Sequence, residues 1–237
     1  MNNFNFIDIN SYKTIVYKDF EAIQKIIDMG LSYDILCQTF IDAIEQKRNL
    51  PPYAMSMRKN LTILFSAVET FRAQLLCNGW TYKEEKNFNF TISPNERIAV
   101  HIASGNEFVG RENSCKTQKK GKVSQTIIEM NKFVQLNLSI PNFYKFQIQN
   151  NRKNSLTWFL LFHRKGNRVQ IELSLPRFYD TKAQKVIAWY ERILLPDIII
   201  PDDNITSHNS TDIPPYKGSE FQPLCNNSID DIDITKK

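Results

Sequence analysis

The sequence predicts an α+β protein in three parts: a helical region to about residue 78, an antiparallel β-meander domain over 79–200, and an acidic tail over 201–237. Three observations support this. Apolar residues recur at spacings of three and four up to Cys77, alternate with a period of two after Trp80, and lose periodicity after Pro201. The 237 residues suffice for one or two domains with a hydrophobic core.

Three helices are predicted before residue 78. The first ends at Gly30, a residue type common just after helix ends, and the second begins at Ser32, a favourable N-cap. The third runs from about Met55 to Cys77 and stops at Asn78-Gly79. The predicted core-facing residues are Phe20, Ile23, Ile26 and Ile27 in the first helix, and Met57, Leu61, Leu64, Phe65, Val68, Phe71 and Leu75 in the third.

The first two helices, with their short turn at Gly30-Leu31-Ser32, have the outline of a helix-turn-helix. Four basic residues cluster around the turn between the second and third helices: Lys47, Arg48, Arg58 and Lys59. The region is nonetheless neutral overall, with eight basic and eight acidic residues. Two interpretations stay open: this region reads DNA, or it is a helical bundle that serves packing or the formation of a homo-oligomer.

Alternating segments predict the strands of the second part. "FNFTI" and "RIAVHIA" are joined by a Ser-Pro-Asn turn, and "SQTIIEMNKFVQL" predicts a short helix capped by Ser124. "LTWFLLFH", "RVQIELSLP" and "VIAWYERILLP" predict an antiparallel meander, with its first hairpin turn at Lys165-Gly166-Asn167. The middle strand alternates apolar residues with Gln170, Glu172 and Ser174, which predicts a sheet with one buried face.

A long polar loop, "SGNEFVGRENSCKTQKKGK", runs from Ser104 to Lys122. It lies in the net-positive part of the chain, since residues 79–200 hold 19 basic and 10 acidic residues. It precedes a predicted helix start, where free N–H groups and the helix dipole favour anions. The P-loop pattern is absent, so a polyanion backbone is expected rather than a nucleotide. The predicted anion-binding residues of the loop are Arg111, Lys116, Lys119, Lys120 and Lys122. A solvated loop that serves only solubility is the alternative.

A second basic group, interleaved with aromatic residues, contributes Arg152, Arg164 and Arg168 to the predicted binding surface. Proteins that bind single-stranded nucleic acid combine such charges with stacking rings. Trp158, in contrast, lies in an alternating strand and is expected in the core.

Catalytic and metal-binding patterns are weak. Glu172 on a polar strand face suggests a magnesium-dependent nuclease, but Ser174 stands where such a site would have a lysine. Ser104-Gly105 with His101 lacks the GxSxG pattern of a nucleophile. The four cysteines and three histidines are scattered, so no zinc site, disulfide or cofactor is expected.

The amino terminus lacks the charged and apolar regions of a secretory signal, and no apolar run approaches the ~18 residues of a membrane span. A cytoplasmic protein without membrane association is therefore expected.

The segments "SGNEFVGRENSCKTQKKG", "TWFLLFH", "IELSLP" and "ERILLP" together resemble uncharacterised proteins of bacterial plasmids and mobile elements over about residues 79–200. Here Val109 stands where a Thr would precede Gly110, and Cys115 replaces a more usual Pro. The resemblance implies a bacterial cytosol and a mobile genetic element, and it implies no catalytic activity.

The sequence as a whole predicts a non-enzymatic protein that associates with nucleic acid, in a regulatory or accessory role. An interaction module for an acidic protein and a magnesium-dependent nuclease are the alternatives. The tail over 201–237 holds seven acidic and three basic residues. It is expected to be mostly disordered and to compete with DNA for the basic surface.

Overall fold

A computed structural model describes residues 13–85, 88–138 and 155–201, without the side chains of residues 60 and 133–138. These residues form the helices α1 (Asp19–Asp28), α2 (Tyr33–Arg48), α3 (Ser56–Leu76) and α4 (Val123–Leu138). They also form the strands β1 (Ile15–Tyr17), β2 (Thr81–Glu85), β3 (Phe88–Ile92), β4 (Ile98–Ser104), β5 (Leu156–Lys165), β6 (Arg168–Asp180), β7 (Lys185–Leu194) and β8 (Ile198–Ile199). The α+β class is therefore confirmed.

All eight strands belong to one sheet with the order β1-β7-β6-β5-β4-β3-β2, and β8 pairs with β6. The sheet is mixed, because β4 pairs with β5 and β1 pairs with β7 in parallel. The prediction of an antiparallel sheet is thus wrong as a whole, although β5, β6 and β7 do pair antiparallel.

The connection lengths explain the two kinds of pairing. A turn at Gly166, whose φ is +62°, returns the chain directly from β5 to β6. Between β4 and β5, in contrast, the chain passes through the basic loop and α4. Such a crossover brings the next strand back in the same direction. Alternation did not reveal β1 and β8, which are two or three residues long, or β2, which is exposed throughout.

On one face of the sheet, the helices α1, α2 and α3 close a hydrophobic core that includes Phe40, Phe71, Leu160 and Ile171. We call this the helical face. The predicted N-cap of α2 is confirmed, since the Ser32 hydroxyl accepts a hydrogen bond from the Ile35 N–H at 3.2 Å. Helices and sheet share this core, so residue 78 marks a change of secondary structure within one compact unit that ends at Pro201.

The predicted core-facing residues of two helices are only partly correct, since Val68, Phe71 and Leu75 of α3 are buried as expected. In α1, the predicted core residue Ile26 is fully buried, but Phe20 is 78% exposed and Ile27 is 52% exposed, and Ala22 is buried in their place. In α3, three predicted core residues are exposed instead: Met57, Leu61 and Phe65. Apolar residues occupy most of the circumference of α3, so their periodicity could not select the side that packs against α2 and the sheet.

The opposite face of the sheet, which we call the loop face, is also covered. Residues of the basic loop and α4, such as Val109, Cys115 and Ile127, pack there against Phe159 and Trp189. The prediction of a single buried face is therefore wrong. Gln170, Glu172 and Ser174 alternate toward the loop face and are all buried there.

Two predictions concern residues outside the described part of the chain. These are Arg152 as a binding residue and the acidic tail from residue 202 onward. Among the described residues, no helix is long and apolar enough to cross a membrane.

Candidate functional site

The main chain of the basic loop is anchored at both ends of its path. Near its start, the Gln118 N–H donates to the Ser104 carbonyl at 3.0 Å. Near its end, the Tyr179 hydroxyl donates to the Lys120 carbonyl at 2.7 Å, and the Thr117 N–H donates to the Val186 carbonyl at 3.1 Å. The loop is thus an ordered layer on the sheet.

A buried ion pair between Glu172 on β6 and Arg192 on β7 lies beneath this layer. Their side chains are 0% and 3% exposed, and two parallel hydrogen bonds join them: Nε to Oε1 at 3.1 Å and Nη2 to Oε2 at 2.6 Å. Burial alone would lower the pKa of Arg192, but the hydrogen bonds and charge of Glu172 outweigh it and raise that pKa. Arg192 is therefore charged at neutral pH.

The loop supplies further partners to the Glu172 carboxylate. The Gly110 N–H donates to Oε2 at 2.7 Å, and the Cys115 thiol donates to Oε1 at 2.8 Å. The Ser174 hydroxyl, from β6 itself, donates to Oε1 at 2.7 Å. Burial, followed by the charge of Glu172, raises the pKa of Cys115, so the thiol keeps its proton and remains a donor.

Arg192 binds the loop from the cationic side of the pair. Its guanidinium donates to the carbonyls of Arg111 at 2.9 Å and Asn113 at 3.0 Å. Because one ion pair holds the loop by N–H, thiol and carbonyl groups at once, residues 110–115 are clamped to the sheet. Arg192 is not among the site residues predicted from the sequence. One sequence feature could have indicated it: Glu172 and Arg192 carry opposite charges, and each is flanked by apolar residues in its predicted strand.

Gly110 fits this clamp for two steric reasons. Its φ is +68°, a conformation that other residues rarely adopt, and a Cβ there would lie 3.1 Å from the Ile171 carbonyl oxygen. The glycine therefore lets the backbone approach β6 closely enough for its N–H to reach Glu172.

This geometry bears on the two catalytic patterns in the sequence, a magnesium-dependent nuclease centred on Glu172 and a nucleophile near His101. The Glu172 oxygens accept five hydrogen bonds from Arg192, Gly110, Cys115 and Ser174, so no direction remains for a metal ion. No group of three potential ligands that could hold a metal occurs within residues 13–85, 88–138 and 155–201. His101 is a core residue that stacks on Phe88 at 4.0 Å between ring centroids, and burial lowers its pKa to about 3.

The predicted cations of the loop do not form one cluster. Arg111 reaches Asp197, beyond the end of β7, with hydrogen bonds of 3.0 and 2.7 Å. The Lys120 N–H donates to the Gln184 carbonyl, just before β7 begins. A ten-residue strand spans roughly 30 Å, so these two residues belong to different parts of the surface.

A hollow of about 460 Å³ opens beside Arg111, where the β5–β6 hairpin turns. Lys165, Asn167, Arg168 and Gln170 complete its lining. In the amide orientation that satisfies both its polar atoms, Gln170 accepts from Arg111 Nη2 at 2.6 Å and Nε at 3.1 Å. We call this site the hairpin hollow; it brings together Arg111 and Arg168, two of the predicted residues.

The other predicted residues lie elsewhere. Arg164 lies two residues after Phe162 in β5, so its side chain is on the helical face, where Phe162 packs. Its Nε donates to the Gly166 carbonyl at 3.0 Å. Lys116, Lys119 and Lys122 are exposed. Lys120 is half-buried, and this burial lowers its pKa to about 8.

The four predicted cations of the helical region are partly engaged with main-chain carbonyls. Arg48 donates to Pro201 at 2.7 Å, and Lys59 donates to Pro52 at 2.7 Å. Lys47 is half-buried and Arg58 is exposed. They surround the α2–α3 turn without forming a common pocket that the structure describes.

Comparison with known proteins returned no match: no family model, no curated protein and no solved structure is similar to this chain.

Proposed function

We propose that this protein binds nucleic acid through its sugar–phosphate backbone and does not alter it chemically. One observation carries the proposal: Arg111, Lys165 and Arg168, from two separate segments of the chain, line the hairpin hollow together. Convergent cations in an open hollow suit a phosphate group, because its charge and its acceptor oxygens match both ammonium and guanidinium groups.

The three cations of the hollow have different roles in this proposal. Lys165 and Arg168 are exposed and have no ion-pair partner among the described residues, so both are available to phosphate. Arg111 is held by Asp197, which offsets its charge and fixes its position. It therefore shapes the hollow more than it attracts the ligand.

Exposed lysines extend the proposed contact beyond the hollow. Lys116, Lys119 and Lys122 project from a main chain that the ion pair and β7 hold in place. A polyanion longer than the hollow would meet them as further phosphate contacts. The affinity should then fall steeply with salt, because each neutralised phosphate releases counterions.

The test measures binding of duplex DNA, single-stranded DNA and RNA by fluorescence anisotropy over a salt series. Lys165→Ala/Arg168→Ala should weaken binding and reduce the slope of log K against log salt by about 2 for duplex DNA, since two phosphate contacts are lost. Lys116→Ala/Lys119→Ala/Lys122→Ala should reduce the slope further.

Lys13→Ala/Lys182→Ala is the matched control. It removes two exposed positive charges that do not line the hairpin hollow. An equal loss of affinity in this control would show that only net charge matters, and wild-type binding by the hollow variant would refute the hollow as the contact. Lys47→Ala/Lys59→Ala tests in the same assay whether the helical region contributes to DNA binding.

An acidic protein partner is the second candidate, because it would use the same exposed cations. It would copurify without nucleic acid, and the hollow variant would lose it.

A magnesium-dependent nuclease has less support, since every lone-pair direction of Glu172 is taken by a donor from the protein. The context that we propose, a bacterial mobile genetic element in the cytoplasm, rests on the resemblance of residues 79–200 alone.

A further inference from the structure

The first half of α3 presents an apolar face that nothing in the described chain covers. Phe65 is 56% exposed and Leu61 is 37% exposed, while Ile63, Ala67 and Phe71 on the other side pack into the core. A groove of about 370 Å³ runs along the exposed face. Its lining consists of Met55, Met57, Arg58, Leu61, Thr62, Phe65 and Ser66.

Two opposite charges lie on this face, one on each side of the apolar residues. At 100° per residue, Arg58 and Glu69 point within about 20° of each other and lie roughly 16 Å apart along the helix axis. Both side chains are exposed. Neither has an ion-pair partner among the described residues. Each charge therefore lacks a complement that a docked surface could supply.

A second copy of the same helix supplies that complement if it docks antiparallel. A two-fold axis midway between the two charges places Arg58 against the partner's Glu69 and, by symmetry, Glu69 against the partner's Arg58. The same axis sets Phe65 opposite the partner's Thr62 and Leu61 opposite the partner's Ser66. Each large side chain then faces a small one across the groove, as packed helices require.

We infer that this protein forms a symmetric homodimer through the first half of α3. The second half of this helix face is already occupied. Arg72 forms an ion pair with Glu84 at 2.9 Å and lies 4.7 Å from the centre of the Tyr82 ring. The dimer contact is therefore centred on Leu61 and Phe65, with the two charge pairs at its ends.

Charge reversal separates this arrangement from other uses of the face. In sedimentation velocity over a concentration series, the wild type should reach a dimer. Arg58→Glu alone and Glu69→Arg alone should each weaken self-association roughly tenfold or more, because two attractive pairs become repulsive. The double variant Arg58→Glu/Glu69→Arg should dimerise like the wild type.

Mixing the two single variants gives the sharpest result. Each repels itself, but the mixture places glutamates at both positions of one chain against arginines at both positions of the other. A dimer should therefore form in the mixture and not in either variant alone.

Phe65→Asp should abolish the dimer, whereas Phe20→Asp should not, since Phe20 is 78% exposed on α1 and lies outside the groove. Circular dichroism and thermal melting of each variant identify any that fail to fold. A wild type that stays monomeric at the highest concentration would overturn the inference. Self-association that ignores the charge reversals, or a mixture that remains monomeric, would also overturn it.

Discussion

The two faces of the sheet are closed by opposite means. On the helical face, three helices bury hydrocarbon side chains, and Ile171 and Leu173 of β6 are fully covered by them. On the loop face, Glu172 and Ser174 of the same strand are equally buried, but beneath a polar loop. Successive residues of β6 thus enter an apolar core on one face and, on the other, a buried ion pair beside a second apolar cluster.

This difference shows how a long polar loop becomes ordered. A loop offers many N–H and carbonyl groups that need partners once water is excluded. The Glu172–Arg192 pair supplies both an acceptor and a set of donors, so it binds the loop backbone while Lys116, Lys119 and Lys122 stay exposed. Burying the pair is costly in itself, and the loop's hydrogen bonds offset part of that cost.

Removing the cation of the pair should have the largest effect on stability. Arg192→Met leaves the Glu172 carboxylate buried without a counter-charge, which should cost about 3–5 kcal/mol of unfolding free energy. Denaturant unfolding measures this loss. Hydrogen exchange should show selective opening at the loop amides of Gly110 and Thr117.

The variant Glu172→Gln/Arg192→Met tests whether the loss comes from an unpaired charge. It removes both charges, so it should be more stable than Arg192→Met alone. If the two sites were independent, the second substitution would instead add its own loss of stability. Additive losses, or a loop that exchanges no faster in Arg192→Met, would mean that the pair does not hold the loop.

A neighbouring substitution on the helical face should behave differently. Ile171→Val removes one methylene from a packed apolar core, which should cost about 0.5–1.5 kcal/mol. Because Ile171 faces the helices, exchange should increase only as global stability falls, with no selective opening of the loop. Selective loop exchange in this variant would show that the two faces are mechanically coupled and would weaken the contrast between them.

The sequence predicted this fold where the signal was local. The Ser32 cap, the α4 segment and the three alternating runs that became β5, β6 and β7 were all found from neighbouring residues. The parallel pairing of β4 with β5 was not predicted, because it depends on how a long crossover returns to the sheet.

The candidate site shows the same limit. Loop charge located Arg111 and the exposed lysines, but not their division between two parts of the surface. The sequence did not predict a role for Arg192, because an arginine in a strand is ordinarily on the surface. In the pairing of β6 with β7, Arg192 lies opposite Ser174, two residues from Glu172 on the same face of the sheet. Only this pairing shows that the charges of Glu172 and Arg192 meet.

Lys120 provides a test of how well the loop excludes water from the sheet. Burial lowers its pKa to about 8 from an ordinary 10.5, so the folded state binds fewer protons than the unfolded state between these values. Unfolding free energy therefore rises with pH through this window, because the folded state no longer holds a poorly solvated charge. Relative to Lys120→Met, which lacks the group, the wild type should gain stability between pH 8 and pH 10.5 in thermal melts.

Lys119→Met, at an exposed neighbour, should show no such trend relative to the wild type. A flat difference for Lys120→Met would mean that water reaches its ammonium group and that the loop covers the sheet less tightly there than at the ion pair.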